Sequence, residues 1–337
     1  MAPPAMLLTI VAMALACTPA AIPPLTAPAP PQDRVYRVGL MVSDGPVWSA
    51  WAEALREGLS ELGYVEGRNL VIVEVPSDDG DIEKTLATIR ALERAQVDVL
   101  VSALLPHHVE MVSKATGSLP LVEPLLNSPN VGTESIASYA HPGGSMTGII
   151  GIDVAQHARR LQLLKETAPN ISRVIVLTPW DRPPDLPGWA EITEMASALK
   201  LEIERVQPAG PDDIEPALEA AIQRGADGLL QYQGNPFADV DVRQRVVDVA
   251  ARHRIPAVYI DQGWARIGGL MAYNPNSMAN YRRAAAYVDW ILKGTRVGDL
   301  PVEQPARFDF IVNLVTAQSL GLVVPPTVLA QASELVQ

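Results

Sequence analysis

From residue 35 onward, apolar runs of strand length alternate with longer stretches of helical spacing, and the alternation restarts near residue 145. That doubling constrains the fold more than any other feature. VYRVGLMV (35–42) is almost continuously apolar, as a strand buried on both faces must be. Residues 47–62 carry Trp48, Trp51, Leu55, Leu59 and Leu62 at helical spacing, and Gly63 stops the helix. LVIVEVP (70–76), a helix over 81–95, DVLVSALL (98–105) and LPLVEPLL (119–126) continue the first half. In the second half, helices at 155–168, 188–199, 212–224 and 239–253 lead to strands at 173–179, 201–207, 227–233 and 256–261. GGLMAY (268–273), a helix at 277–293 and RFDFIV (307–312) complete the chain. Such βα repetition predicts an α/β protein of two lobes, each with a parallel sheet.

The N-terminal stretch is of another kind. Met6 to Ala16 is a short apolar run ending in Ala14-Leu15-Ala16-Cys17, and Cys17 is the single cysteine. An apolar segment with small residues before the cut reads as an export signal (1–16), too short to span a bilayer. Cysteine at the first mature position offers a thiol to carry a lipid. The Pro-rich, nearly uncharged segment up to residue 33 reads as an extended tether. With no later cysteine, no internal disulfide can form. The net charge of −12 makes nucleic acid and anionic membrane poor partners. Apolar residues make up 48% of the chain, enough to fill two cores.

Five stretches carry a further signal: REGLSELGYVEGRNLVI (56–72), HPGGSMTGI (141–149), RRLQLLKETAPNISRVIVL (159–177), IGGLMAYNPNSMANYRRAAAYVDWILKG (267–294) and DLPVEQPARFDFIVNLVTAQSLGLVVPP (299–326). In this order they resemble the substrate-binding proteins of ABC importers, the group that includes tryptophan- and tyrosine-binding members. The resemblance runs from about Tyr36 to the C-terminus. It implies the type I periplasmic-binding-protein fold: two Rossmann-like lobes with parallel sheets, joined by three crossovers. It also implies a monomer without cofactor or catalytic role that closes around a small molecule and presents it to a membrane permease. The expected lobes are 34–145 plus 270–300 and 148–266 plus 303–337. Gly143 and Gly144 supply turns that admit positive φ, suiting either a hinge or an ordinary loop; Pro301 would stiffen the last crossover.

In parallel α/β sheets, ligands bind outside the carboxyl ends of the strands. In the first lobe those ends hold Ser43, Asp44, Trp48, Ser102, Ala103, Leu104, Pro124 and Leu125. In the second they hold Thr178, Trp180, Asp181, Gln233, Asn235, Asp261, Gln262 and Trp264. Three of the six tryptophans thus fall at strand ends. Indoles there suit an aromatic or apolar ligand, or a cation over a ring; packing on a lobe surface is the alternative. Asp44, Asp181 and Asp261 could meet a ligand amine or simply cap helices. Ser43 and Ser102 could offer hydroxyls to a carboxylate or serve as caps. Ala103-Leu104-Leu105 stands where the family often has Thr or Ser, and Gly234 where it often has a polar group. Both departures favour a less polar ligand than an α-amino acid.

Enzyme-like constellations are weak. His107 and His108 are adjacent, so on a helix they diverge by about 100° and do not converge on one metal. No CxxC, HExxH, GxSxG, P-loop or GxGxxG occurs. The expected protein is a lipid-anchored, extracytoplasmic binding component. A ligand-sensing partner of a membrane receptor is the second possibility.

Overall fold

A computed structural model of the protein describes residues 34–337, except 43–45, 77–80, 103–110, 113–118, 129–130, 134, 153–154, 181–185, 233–236 and 238. The expected signal, tether and Cys17 lie outside the described residues, as do Ser43, Asp44, Ala103, Leu104, Asp181, Gln233 and Asn235.

The first sheet has the order β2-β1-β3-β4-β5, all parallel. Its strands are β1 (Tyr36–Val42), β2 (Leu70–Pro76), β3 (Val99–Val101), β4 (Leu121–Asn127) and β5 (Met146–Ile152). Helix α1 (Pro46–Glu61) covers one face and α2 (Ile82–Arg94) the other. The alternation of a two-sided strand sorts the core: Val38, Leu40, Val99, Val101 and Val122 meet Leu55 and Leu59, whereas Met41, Leu100 and Leu121 meet Leu86, Ile89 and Leu92. Gly63, at φ 90°, ends the α1 turn in the left-handed conformation that glycine adopts most readily.

The second sheet has the order β12-β11-β10-β9-β8-β6-β7. Its strands are β6 (Arg173–Leu177), β7 (Glu202–Val206), β8 (Gly228–Gln231), β9 (Ala257–Tyr259), β10 (Met271–Pro275), β11 (Phe308–Asn313) and β12 (Glu334–Val336). All neighbours are parallel except β10 and β11. Helices α3 (Ala155–Thr167) and α4 (Trp189–Ala198) pack on one face; α5 (Ile214–Gln223) and α6 (Val240–Arg252) pack on the other. A short α7 (Gln262–Arg266) follows β9.

The chain passes between the sheets three times. It leaves β5 for α3, leaves β10 for α8 (Ser277–Leu292), and returns after Glu303 to β11. Helices α9 (Leu314–Ser319) and α10 (Pro326–Leu329) close the second lobe. Helix α8 belongs to the first lobe, where Tyr281, Ala284, Ala285 and Val288 pack against α1. The two helices touch so closely that a Cβ at Gly58 would stand 2.7 Å from the Ala285 methyl.

Two expected boundaries move. Residues 146–152 form a full strand paired with β4, so the first passage follows β5 and precedes α3 rather than falling at 145–148. Gly143 and Gly144 precede that strand and stay within the first lobe: the Gly143 N–H donates to the Gly298 carbonyl at 3.0 Å. The strand at 271–275 pairs with β9 and β11, which moves it from the first lobe to the second. Pro301 lies in the last linking segment, held to the first lobe by the Tyr287 hydroxyl, which donates to its carbonyl at 2.7 Å. One residue pair later, Glu303 bonds both ways with β5: its N–H donates to Gly148 and its carbonyl accepts from Ile150.

Candidate functional site

In the first lobe the strand ends present an aromatic ladder and a buried carboxyl. Trp48, in the first turn of α1, meets Trp51 edge-on with ring centres 4.9 Å apart. Trp51 stacks on Tyr281 at 5.5 Å. Burial, with the Glu123 charge adding, pushes the Tyr281 phenol up from its ordinary pKa. Ser102, fully buried past the end of β3, donates its hydroxyl to the Glu123 carboxylate on β4. The Pro124 carbonyl accepts from the Asn280 amide at 3.0 Å, and Leu125 is half-buried against the α1–α8 core. Ser102 therefore serves a side chain of its own lobe, and Pro124 is bound to a helix. Glu123 was not among the expected residues, because in LPLVEPLL it stands inside the apolar run and not past its end.

In the second lobe the expected residues divide. Thr178 is fully buried and tied to the Val206 carbonyl through its N–H at 2.9 Å. Trp180 is half-buried and meets Phe237 edge-on at 6.3 Å. Asp261 is the N-cap of α7, accepting from the Gly263 N–H at 2.8 Å, and it pairs with Arg243 at 2.9 Å. Gln262 is half-buried at the start of that helix. Trp264 departs from expectation. It is 0% exposed, stacked on Tyr259 at 4.6 Å, flanked by Phe237 at 6.1 Å, with the Arg243 guanidinium 5.3 Å from its ring. The Asp261 cap turns the chain inward, so this indole fills the lobe core and shows no surface to a ligand in this conformation.

The residues that sequence reasoning passed over are those of α3. Gln156, His157 and Arg160 are buried at its N-terminal half, beneath the carboxyl ends of β8 and β10. Arg160 donates from Nε to the Tyr273 carbonyl at 2.8 Å and from Nη2 to Asn274 Oδ1 at 3.2 Å. Its Nη1 lies 2.9 Å from His157 Nδ1. A guanidinium can only donate, so His157 Nδ1 accepts and the ring carries its proton on Nε2. The imidazole stacks on Tyr232 at 4.4 Å. Burial, then the Arg160 charge, hold its pKa well below the usual value, keeping it neutral. Burial likewise lowers Arg160 to about 10. Helical spacing was the available signal, since it puts 157, 160, 161, 164 and 168 on one inward stripe.

Two surface hollows lie elsewhere. One of about 600 Å³ on the outer side of the first lobe is lined by Glu53, Glu57, Glu66, Arg56 and Arg282, whose charges largely pair with one another. One of about 350 Å³ lies among Leu314, Leu322, Val324 and Leu329. Among the described residues, no group of three or more His, Cys, Asp or Glu is placed to hold a metal, and no helix is long and apolar enough to cross a membrane.

Two α/β lobes, threaded together by three passages of the chain, define the type I periplasmic-binding-protein fold. The chain belongs to the ABC transporter substrate-binding protein family, whose profile matches residues 38–336. It is a family of solute-binding proteins, not of enzymes. No curated protein matches the chain. Solved structures that share its fold include the following three. A conserved domain protein of Vibrio cholerae O1 biovar El Tor is 22% identical, covers 90% of this chain and 100% of its own, and superposes with a TM-score of 0.74. An ABC domain from Streptococcus pneumoniae in complex with L-Trp gives 20%, 90%, 100% and 0.75. The ligand-free, open structure of CD0873 from Clostridium difficile, a substrate-binding protein with adhesive properties, gives 18%, 90%, 99% and 0.72.

Proposed function

We propose that this protein is the extracytoplasmic, lipid-anchored binding component of an ABC importer. It captures a small molecule with an aromatic or apolar body between its lobes and hands it to a membrane permease. The observation that carries the reading is the threading: both sheets turn the carboxyl ends of their parallel strands toward the three linking passages, where a ligand meets both lobes at once. Trp48, Trp51 and Trp180, half-buried near those ends, supply ring surface. The L-Trp complex of the pneumococcal relative supports a ligand of that size. Closure is a rotation about the three passages that link β5 to α3, β10 to α8 and Glu303 to β11, and Cys17 carries the lipid. The test is uptake. Deleting the protein abolishes permease-dependent accumulation of the molecule that co-purifies with it, identified by native mass spectrometry; accumulation unchanged by the deletion overturns the importer role.

A further inference from the structure

Many charged side chains of the second lobe pair with a partner of opposite sign. Arg224 pairs with Glu204, Arg245 with Asp212, Arg252 with Glu215 and Arg266 with Glu334. These are surface pairs, where water would have served as well. Arg160 is the reverse case. It is fully buried, where a partner matters most, and its three acceptors are a backbone carbonyl, an amide oxygen and a neutral imidazole. No carboxylate lies within ion-pair distance of it among the described residues. A buried guanidinium without a counter-ion is costly to hold, the more notable in a chain of net charge −12. Three of its five N–H donors are used, which leaves two.

One turn earlier on the same face of α3 stands Gln156, 5% exposed. Neither its amide nitrogen nor its amide oxygen has a hydrogen-bond partner among the described residues. Buried amides in native proteins are almost always bonded, so an orphaned one beside an uncompensated cation asks for a ligand. The other groups around the pair are occupied. Asp261, the acidic group whose field reaches Arg160, is committed to Gly263 and Arg243. The Tyr232 hydroxyl donates to the Pro187 carbonyl at 2.8 Å. Tyr273 and Asn274, beside the guanidinium, are half-buried and stand on β10, the strand that leads into the second passage between the lobes.

We propose that Arg160 and Gln156 form a carboxylate-binding subsite in the second lobe, so that the molecule captured is an organic acid. The inference rests on the importer reading for the existence of a ligand and adds the class of its polar end. A planar carboxylate matches the two remaining guanidinium donors, and the Gln156 amide donates a third bond. The single positive charge of the cluster suits a monoanion; a phosphate dianion would leave a net negative charge buried.

Matched pairs test this on the full chain. A set of monocarboxylates from acetate to 3-phenylpropanoate, each with its neutral amide, is titrated at fixed ionic strength by thermal shift and calorimetry. The acids raise the melting temperature and the amides do not. Arg160→Gln weakens the acids by at least about thirtyfold, as loss of one partner of a buried charge pair does. Arg160→Lys retains part of the response. Gln156→Glu places a carboxylate beside the guanidinium from within: it raises the melting temperature of the ligand-free protein and abolishes the response to acids, an outcome independent of whether Arg160→Gln folds. Equal response to acids and amides, no response across the set, a larger response to inorganic phosphate, or an intact response in Gln156→Glu overturns the proposal. The two readings fail separately. A neutral molecule released from the purified protein overturns the subsite and leaves the importer standing. An acid response without permease-dependent uptake does the opposite.

Discussion

Helices α3 and α8 hold equivalent places, each the first element after the chain passes from one sheet to the other, yet they treat buried polarity in opposite ways. On α8 the buried amide and the buried carboxylate are both answered, and the Tyr281 hydroxyl is its one buried side-chain group without a hydrogen-bond partner among the described residues. Asn280 donates to the Pro124 and Ile150 carbonyls, and Asp289, 1% exposed, accepts from the Tyr64 hydroxyl at 2.9 Å and pairs with Lys293 at 2.7 Å. On α3, Gln156 has no partner among the described residues and Arg160 has only neutral ones. Satisfied polar groups fasten a helix to its sheet. On our proposal, the orphaned amide beside a buried cation with no counter-ion is kept for a ligand, which sets it apart from the lone hydroxyl on α8.

The contrast can be broken by substitution. The largest effect is expected for Asp289→Ala, which leaves the Tyr64 hydroxyl and the largely buried Lys293 ammonium without their anion. A loss of about 3–5 kcal/mol in denaturant unfolding follows for breaking a buried pair. A loss below 1 kcal/mol would remove α8 as the fastened member of the comparison. Asn280→Ala strands two buried carbonyls and costs about 1–3 kcal/mol by the same measurement.

The third expectation concerns pH. His157 is neutral in the folded protein because its pKa is depressed, whereas in the unfolded chain it takes a proton near pH 6.5. The unfolded state therefore binds the extra proton, and stability falls by about 1.4 kcal/mol per pH unit as the pH drops below about 6.5, until the folded pKa is reached. Above that pH the contribution is fully present. His157→Gln, which keeps an acceptor for Arg160, should flatten that part of the stability–pH curve; an unchanged slope assigns it elsewhere. The smallest effect has the opposite sign. Gln156→Met fills the same space without orphaned polar atoms and should stabilise by about 1 kcal/mol. If it destabilises instead, Gln156 is bonded in solution and α3 resembles α8 after all.

Much of the fold was legible because a strand buried on two faces leaves a continuous apolar run. Expected and observed bounds of β2 coincide, and those of α3 and α8 differ by one residue. Strand β5 was missed for a definite reason. Gly148 and Gly151 interrupt its apolar run, and they are where the sheet demands an absent side chain: a Cβ at Gly148 would fall 2.0 Å from the Glu123 carbonyl oxygen. Strand β10 was recognised yet assigned to the first lobe, since chain order does not state which sheet a strand joins. Trp264 sits at a strand end in sequence but behind it in space, once Asp261 caps α7. Arg160 was hidden by its charge, which reads as a solvated face even when the helical stripe turns it inward.

The threading that joins the lobes also sets the order in which the molecule can be completed. Tyr64 and Asp289 bond across 225 positions of chain, and α1 has its chief neighbour in α8. A ribosome that has released all five strands of the first sheet has still not released the helix that covers it. The second sheet waits as well, since β11 and β12 come after α8. Neither half can close ahead of the other, and the long-range contacts that close them form slowly. The protein is thus, in kinetic terms, one folding unit finished from its C-terminal end. It stays open to a translocase or a chaperone until β11 and β12 are made.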